Sequence, residues 1–242
     1  MSTLARFRLV PPRRNDPELM DGSDQTAEEM AAALRDIRAV NRWLGGFSGI
    51  VRPLAALARE RHWRDLSLLD IGTGSADIPR RVLAEATSQT GVTRAAGVDL
   101  HPIITRIARA EGDGVSVLRA DGFRLPFRDG AFDIVTASMF LHHFEETPAA
   151  ALVREFARVA RRCVLVNDLQ RHRVPWLVIH ALGAVGGASR MFRHDAPLSV
   201  LRGFTAEELL HIGRATGVPA ASVSVVRQAP WRLVLRLDRE AA

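Results

Sequence analysis

Apolar residues recur along the chain in two alternating patterns. Met30, Leu34, Ile37 and Val40 fall at helical spacing behind Thr26 and Glu29, whose interval lets hydroxyl and carboxylate each satisfy the other's free backbone N–H. A helix ending at Gly45–Gly46 is predicted, and a second near Ile50–Arg61. Short apolar runs at 66–71, Ala95–Asp99, Val115–Arg119, Phe132–Ala137 and Cys163–Val166 then read as strands. Helical stretches separate most of them, near Ile78–Ser88, Pro102–Ala110 and Pro148–Arg161. Nearly continuous apolar strands alternating with helices imply a parallel sheet covered on both faces.

The alternation stops after the fifth strand. Residues 169–203 form an insertion, apolar in its middle and basic at both ends. Thr205 and Glu208 repeat the capping spacing and open a helix that stops at Gly217. Strands Ser222–Arg227 and Trp231–Leu237 close the chain around Ala229-Pro230. The expected architecture is α/β: a doubly wound, seven-stranded, mostly parallel sheet with a C-terminal antiparallel hairpin. N-terminal helices and the insertion after strand 5 form a lid. The 242 residues are expected to make one domain: arm and helices 1–65, core 66–168, lid 169–203, and helix with hairpin 204–242. Residues 1–17, with Pro11, Pro12, Pro17 and four arginines, read as a mobile arm.

Composition removes several chemistries. The sequence has no lysine, so all 33 basic residues are arginine, and it has no tyrosine. That excludes lysine Schiff bases, the Walker A lysine and the Tyr/Lys pair of short-chain dehydrogenases. The net charge of +6 is spread over scattered arginines, with no basic stripe interleaved with aromatics of the kind nucleic acid requires. One cysteine, Cys163, leaves no internal disulfide and no cysteine-rich metal site. No histidine/carboxylate grouping has zinc-ligand spacing, so no metal is expected. No signal peptide is visible, and the apolar stretch Val174–Ser189 is too short to span a bilayer. A cytoplasmic protein without stable membrane insertion is expected.

Candidate chemistry begins at Asp70-Ile71-Gly72-Thr73-Gly74-Ser75-Ala76, glycines between a strand and a helix where backbone can approach a ligand closely. An NAD fingerprint needs glycine at 77; Asp77 stands there, and with Asp70 it suits a ligand with a cationic end. Asp99 closes the second strand, where a carboxylate can accept from a ribose diol. Asp121, in Arg119-Ala120-Asp121-Gly122, can accept from an adenine amino group.

The series DIGTGSAD, GVDL, RADGFRLPF and FDIVTASMFLHHF resembles class I S-adenosylmethionine-dependent methyltransferases, in the ubiquinone/menaquinone methyltransferase-like branch. The motifs cover about residues 66–168, and the terminal hairpin fits that family's strand order. Ala76 departs from it where a third glycine is common. The resemblance implies S-adenosyl-L-methionine as cofactor, with Asp70, Gly72, Thr73 and Gly74 at its methionine end. It places Asp99 and Leu100 at the ribose, Asp121 and Gly122 at the adenine, and Ser138 beside the sulfonium.

A small-molecule acceptor follows, aromatic or lipophilic, with a hydroxyl oxygen first among acceptor atoms, then ring carbon, then nitrogen. Removing a phenolic proton near neutral pH calls for a base such as histidine. His142, His143 and His194 (beside Asp195) are the candidates. Trp43, Trp176 and Met191 are expected to wall the acceptor pocket. Three rivals stand against this: a nucleic-acid methyltransferase, an NAD-dependent reductase, and a non-catalytic cofactor-binding protein on the same fold. The first lacks an Asn/Asp-Pro-Pro-aromatic stretch at 138–141 and a free cysteine nucleophile. The oligomeric state stays open.

Overall fold

A computed structural model describes residues 9–22, 24–85, 90–112, 114–185 and 187–239. The first eight residues of the arm and the end of the helix expected at 78–88 lie outside the described residues. Helix α1 (Ala27–Trp43) starts at the Thr26 cap, with both halves of the capping box formed. Helix α2 (Gly46–Glu60) begins four residues before the expected start, after a left-handed Gly45.

The core follows as β1 (Leu66–Ile71), α3 (Asp77–Glu85), β2 (Val92–Asp99), α4 (Pro102–Ala110), β3 (Val115–Arg119), β4 (Phe132–Ser138), α5 (Glu146–Val159) and β5 (Ala160–Leu169). Strand β5 is longer than the sequence pattern indicated; Ala160 and Arg161, expected in the helix, already belong to the sheet. The insertion folds into α6 (Arg173–Val185) and α7 (Arg190–Arg202), and α8 (Ala206–Arg214) leads to β6 (Val223–Gln228) and β7 (Arg232–Asp238).

The strand order is β3-β2-β1-β4-β5-β7-β6. Pairs from β3 to β5 are parallel, and β7 runs antiparallel between β5 and β6. The connectivity reverses between β1 and β4, and open α/β sheets bind ligands at such a switch point, beyond the carboxyl ends of the strands. Apolar cores fill both faces. One packs α5 and α8 through Phe156, Leu209 and Ile212, and the other packs α2 and α3 through Ile50, Leu54 and Val82. Burial on both faces explains why β1, β4 and β5 read as unbroken apolar runs.

The arm is not loose where it is described. The Arg171 side chain donates to Pro11 O at 3.0 Å. Arg13 donates to Arg202 O at 2.7 Å and Phe144 O at 2.8 Å, and its guanidinium lies over the Phe204 ring. Residues 9–22 thus form a strap across the carboxyl edge of the sheet, fixed by guanidinium groups reading main-chain oxygens.

Candidate functional site

The loops at this edge enclose a cavity of about 800 Å³, at the upper part of the usual range of roughly 300–1,000 Å³ for small-molecule sites. Its floor is the turn after β1. Gly72 has φ +65°, and a Cβ there would sit 2.3 Å from the Phe140 ring. Only glycine meets both demands. Gly74 has φ +55°, and a Cβ there would make only an ordinary contact with Leu34 Cδ2, at 3.7 Å. Ala76 is also left-handed, φ 58°, and fully buried. Its departure from glycine therefore costs backbone strain rather than a steric intrusion.

Asp70, Asp99 and Asp121, at or just past the ends of β1, β2 and β3, and Asp77, which opens α3, face the cavity. Asp70 is buried, accepting from Thr73 Oγ1 at 2.8 Å and Thr136 Oγ1 at 2.7 Å. Desolvation lifts its pKa to about 7 despite those hydroxyls. Asp77 accepts from Asn41 Nδ2 at 3.0 Å and is likewise raised by burial. Asp99 accepts from Gly74 N at 3.1 Å and His101 N at 2.9 Å, and burial raises it too. Asp121 accepts from Phe123 N at 2.9 Å. Three desolvated carboxylates converging on one cavity make a receptor for positive charge. A ligand with a sulfonium and an ammonium fits that donor set; a pyrophosphate does not.

Leu100, 60% exposed overall, lies on the wall beside Asp99, and Gly122 brings its backbone to Ile71 and Leu152. Ser138 ends β4 at the cavity and accepts from Asn167 Nδ2 at 3.0 Å. The next residue, Met139, has φ 53°.

The histidines separate into three situations. His142 is fully buried, with Nδ1 2.7 Å from Asp168 Oδ1 and Nε2 3.6 Å from Glu18 Oε1. Desolvation opposes its charge, but the two carboxylates outweigh it and raise the pKa to about 9. Glu18 and Asp168 are held low in return, against their own burial. His142 is thus an imidazolium at neutral pH, not the neutral base the sequence suggested.

His143 stacks on it, ring centroids 4.5 Å apart, and faces the cavity with Nδ1 3.0 Å from Asp21 Oδ1 and Nε2 3.9 Å from Glu18 Oε2. His194 does meet Asp195, at 2.7 Å, but its side chain is half exposed and lies off the cavity wall. The Asp195 carboxylate instead accepts from Leu19 N at 2.8 Å and Met20 N at 3.0 Å, clasping the strap.

Of the expected acceptor walls, Met191 lines the cavity, buried against α1 and α4. Trp43 does not: it is 73% exposed, on the outer face of α1, with the Arg42 guanidinium over its ring. Trp176 stacks on His180 and packs into the cluster of Leu169, Ile179 and Val200, off the cavity wall. Apolar wall comes instead from Val178, Ile179, Phe192 and Val200 of the insertion and Leu34, Ile37 and Val40 of α1. Cys163 is buried within β5 and its thiol is pushed up to about 12, so it serves as no nucleophile.

Glu18, Asp21 and Asp168 were missed in the sequence. The strap carries Glu18 and Asp21 over 120 residues to the histidine pair, and no spacing rule could reveal that. Asp168 carried a weak signal, a carboxylate closing an apolar strand beyond Cys163–Val166. Glu18, His142 and His143 place ligating atoms within 4.8 Å of one another, a set that could hold a divalent ion. The imidazolium also balances the same carboxylates without one.

Residues 69–163 match the family described as a methyltransferase domain. The demethylmenaquinone methyltransferase of Thermus thermophilus is 33% identical over 133 residues, 48% of this chain and 59% of that protein. The chain spans between 38% and 59% of the length of the curated relatives it matches. Among solved structures, the plantazolicin methyltransferase BpumL in complex with SAH is 12% identical, covering 88% of this chain and 96% of that one, with a TM-score of 0.62. Magnesium protoporphyrin IX methyltransferase from Synechocystis PCC 6803, also with bound SAH, is 13% identical over 91% of both chains, with a TM-score of 0.53. The two structures share the fold. The family match itself spans the glycine turn, Asp99 and β4.

Proposed function

We propose that the chain transfers a methyl group from S-adenosylmethionine to a hydroxyl oxygen of a small, lipophilic or aromatic acceptor. The observation that carries this reading is the convergence of Asp70, Asp77 and Asp99, all desolvated, on a cavity whose remaining walls are mostly apolar. When bound, the cofactor supplies an electrophilic methyl on a sulfonium leaving group. Asp99 and Asp121 hold the nucleoside through lone pairs not used by backbone N–H groups, and Gly72 lets the main chain approach the amino-acid end. The apolar walls exclude water and orient the acceptor, which is most of what an already activated donor requires.

Proton handling falls to His143. Asp21 engages Nδ1 and orients the ring, and Nε2, which faces Glu18 from 3.9 Å and so lies beyond hydrogen-bond distance of it, is the nitrogen that takes the proton of the acceptor hydroxyl. The imidazolium of His142 anchors Glu18 and keeps that carboxylate ionised beside His143. Replacing His143 with Gln should lower kcat at least tenfold while SAH affinity stays within twofold; an unchanged kcat removes His143 as the base. A second reading is favoured by the name demethylmenaquinone methyltransferase among the relatives. A quinol deprotonated by the same histidine also gains nucleophilic character at a ring carbon. Product mass and ring-proton NMR on phenol and quinol panels separate the two.

A further inference from the structure

Arg232 opens β7 opposite Leu169 of β5. It contributes to the cavity wall, yet only 1% of it is exposed. Its Nε donates to Leu44 O at 2.7 Å, and its buried Nη1 has no partner. Asp168, the carboxylate whose field reaches it, is already engaged. That group accepts from His142 Nδ1 at 2.7 Å, His142 N at 3.1 Å and Leu169 N at 2.7 Å.

Two other buried arginines show the contrast. Arg171 makes a two-point pair with Glu208, at 3.0 and 2.6 Å. Arg202 donates to the carbonyls of Asp16 at 2.8 Å and His143 at 2.7 Å. Burial lowers the Arg232 pKa only to about 10, so it keeps its charge at neutral pH. A buried cation with a vacant donor is far more costly than an ordinary polar group and is expected where a bound partner completes it.

We propose that Arg232 is a carboxylate-recognition site, its guanidinium pairing with the carboxylate of a small molecule held in the cavity. Guanidinium offers planar, multi-donor geometry that matches a carboxylate. Two molecules could bring that group: the amino-acid tail of the cofactor, or an acidic acceptor, the latter resting on the methyltransferase reading above. Strand β7 is two strands from β4, on the order of 10 Å at ordinary strand spacing. An acceptor reaching both Ser138 and Arg232 would therefore carry its carboxylate at the end remote from its nucleophile.

Calorimetric titration of the full chain and of Arg232→Met and Arg232→Lys variants separates the sources. The probes are SAH, 5′-methylthioadenosine, which lacks the amino-acid tail, and 6-hydroxy-2-naphthoate against 2-naphthol. If the cofactor tail is the partner, Arg232→Met weakens SAH at least tenfold and leaves methylthioadenosine unchanged. If the acceptor is the partner, SAH is unaffected, and the wild-type protein prefers hydroxynaphthoate over naphthol at least tenfold. Arg232→Met then loses that preference and Arg232→Lys keeps part of it. Should Arg232→Met fail to fold, Arg232→Gln takes its place. The proposal is overturned if the neutral variant changes neither SAH affinity nor the preference between naphthalenes, or if wild type shows no preference and SAH is unmoved. Failure of the wild-type chain to bind SAH at all would instead refute the methyltransferase reading, and the naphthalene comparison would still judge Arg232.

Discussion

Cofactor affinity should depend on pH through Asp70. In the free protein its carboxyl titrates near 7, because burial among β1, β4 and the glycine turn outweighs two donating hydroxyls. A cationic ligand end favours the ionised form, so binding at low pH must first expel a proton. That cost scales as 1 + 10^(pKa − pH), a factor of about 11 at pH 6 and about 1.1 at pH 8. The dissociation constant for S-adenosylmethionine should therefore be roughly tenfold weaker at pH 6 than at pH 8, about 1.4 kcal/mol. Asp77 and Asp99, also raised, act in the same direction. Isothermal titration in two buffers of different ionisation enthalpy should show proton release at pH 6 that vanishes by pH 8, and Asp70→Asn should reduce the slope. An affinity flat from pH 6 to 8 would refute the assignment of Asp70 to the cationic end of the ligand.

The remaining predictions concern stability. His142 has its pKa raised from 6.5 to about 9 by Asp168 and Glu18. Its contribution is thus complete below about 6.5 and disappears as pH rises through 9, amounting to about 3 kcal/mol. Chemical denaturation between pH 7 and 9.5 should show that decline, and His142→Gln should flatten it. Ala76→Gly relieves a left-handed alanine and should stabilise the fold by about 0.5–1 kcal/mol after the entropy of glycine is counted; a lower melting temperature would contradict the strain.

Local signals in the sequence carried most of the architecture. Thr26 with Glu29 and Thr205 with Glu208 form complete capping boxes, because that interaction lies within one helical turn. Strands β1 and β3 and helix α4 begin and end where the pattern placed them. Strand β2 extends back to Val92 across Thr93 and Arg94, whose polarity hid them. The acidic residues facing the cavity were visible in the sequence because Asp70, Asp99 and Asp121 stand at or just past strand ends and Asp77 opens the helix after the glycine turn. The histidine chemistry was not. The charge on His142 depends on Glu18, 124 residues away, and on Asp168, neither adjacent in sequence. Trp43 and Trp176 were expected in the pocket because they are apolar residues of the N-terminal helices and the insertion, but Trp43 is turned outward on α1 and Trp176 packs into the cluster of Leu169, Ile179 and Val200, off the cavity wall.

The strap over the site has a consequence for which residues can change. Arg13, Arg171 and Arg202 grip peptide oxygens of Pro11, Asp16, His142, His143, Phe144, Arg202 and Gly203. Peptide oxygens exist whatever side chain is present, so the path of this segment tolerates drift in the surfaces it crosses. It is demanding about the grippers themselves. Each spreads several donors over separated acceptors, which a single ammonium at the end of a flexible stem cannot imitate. In a chain without lysine, even a like-charged replacement at these three positions would loosen the roof that delivers Glu18 and Asp21.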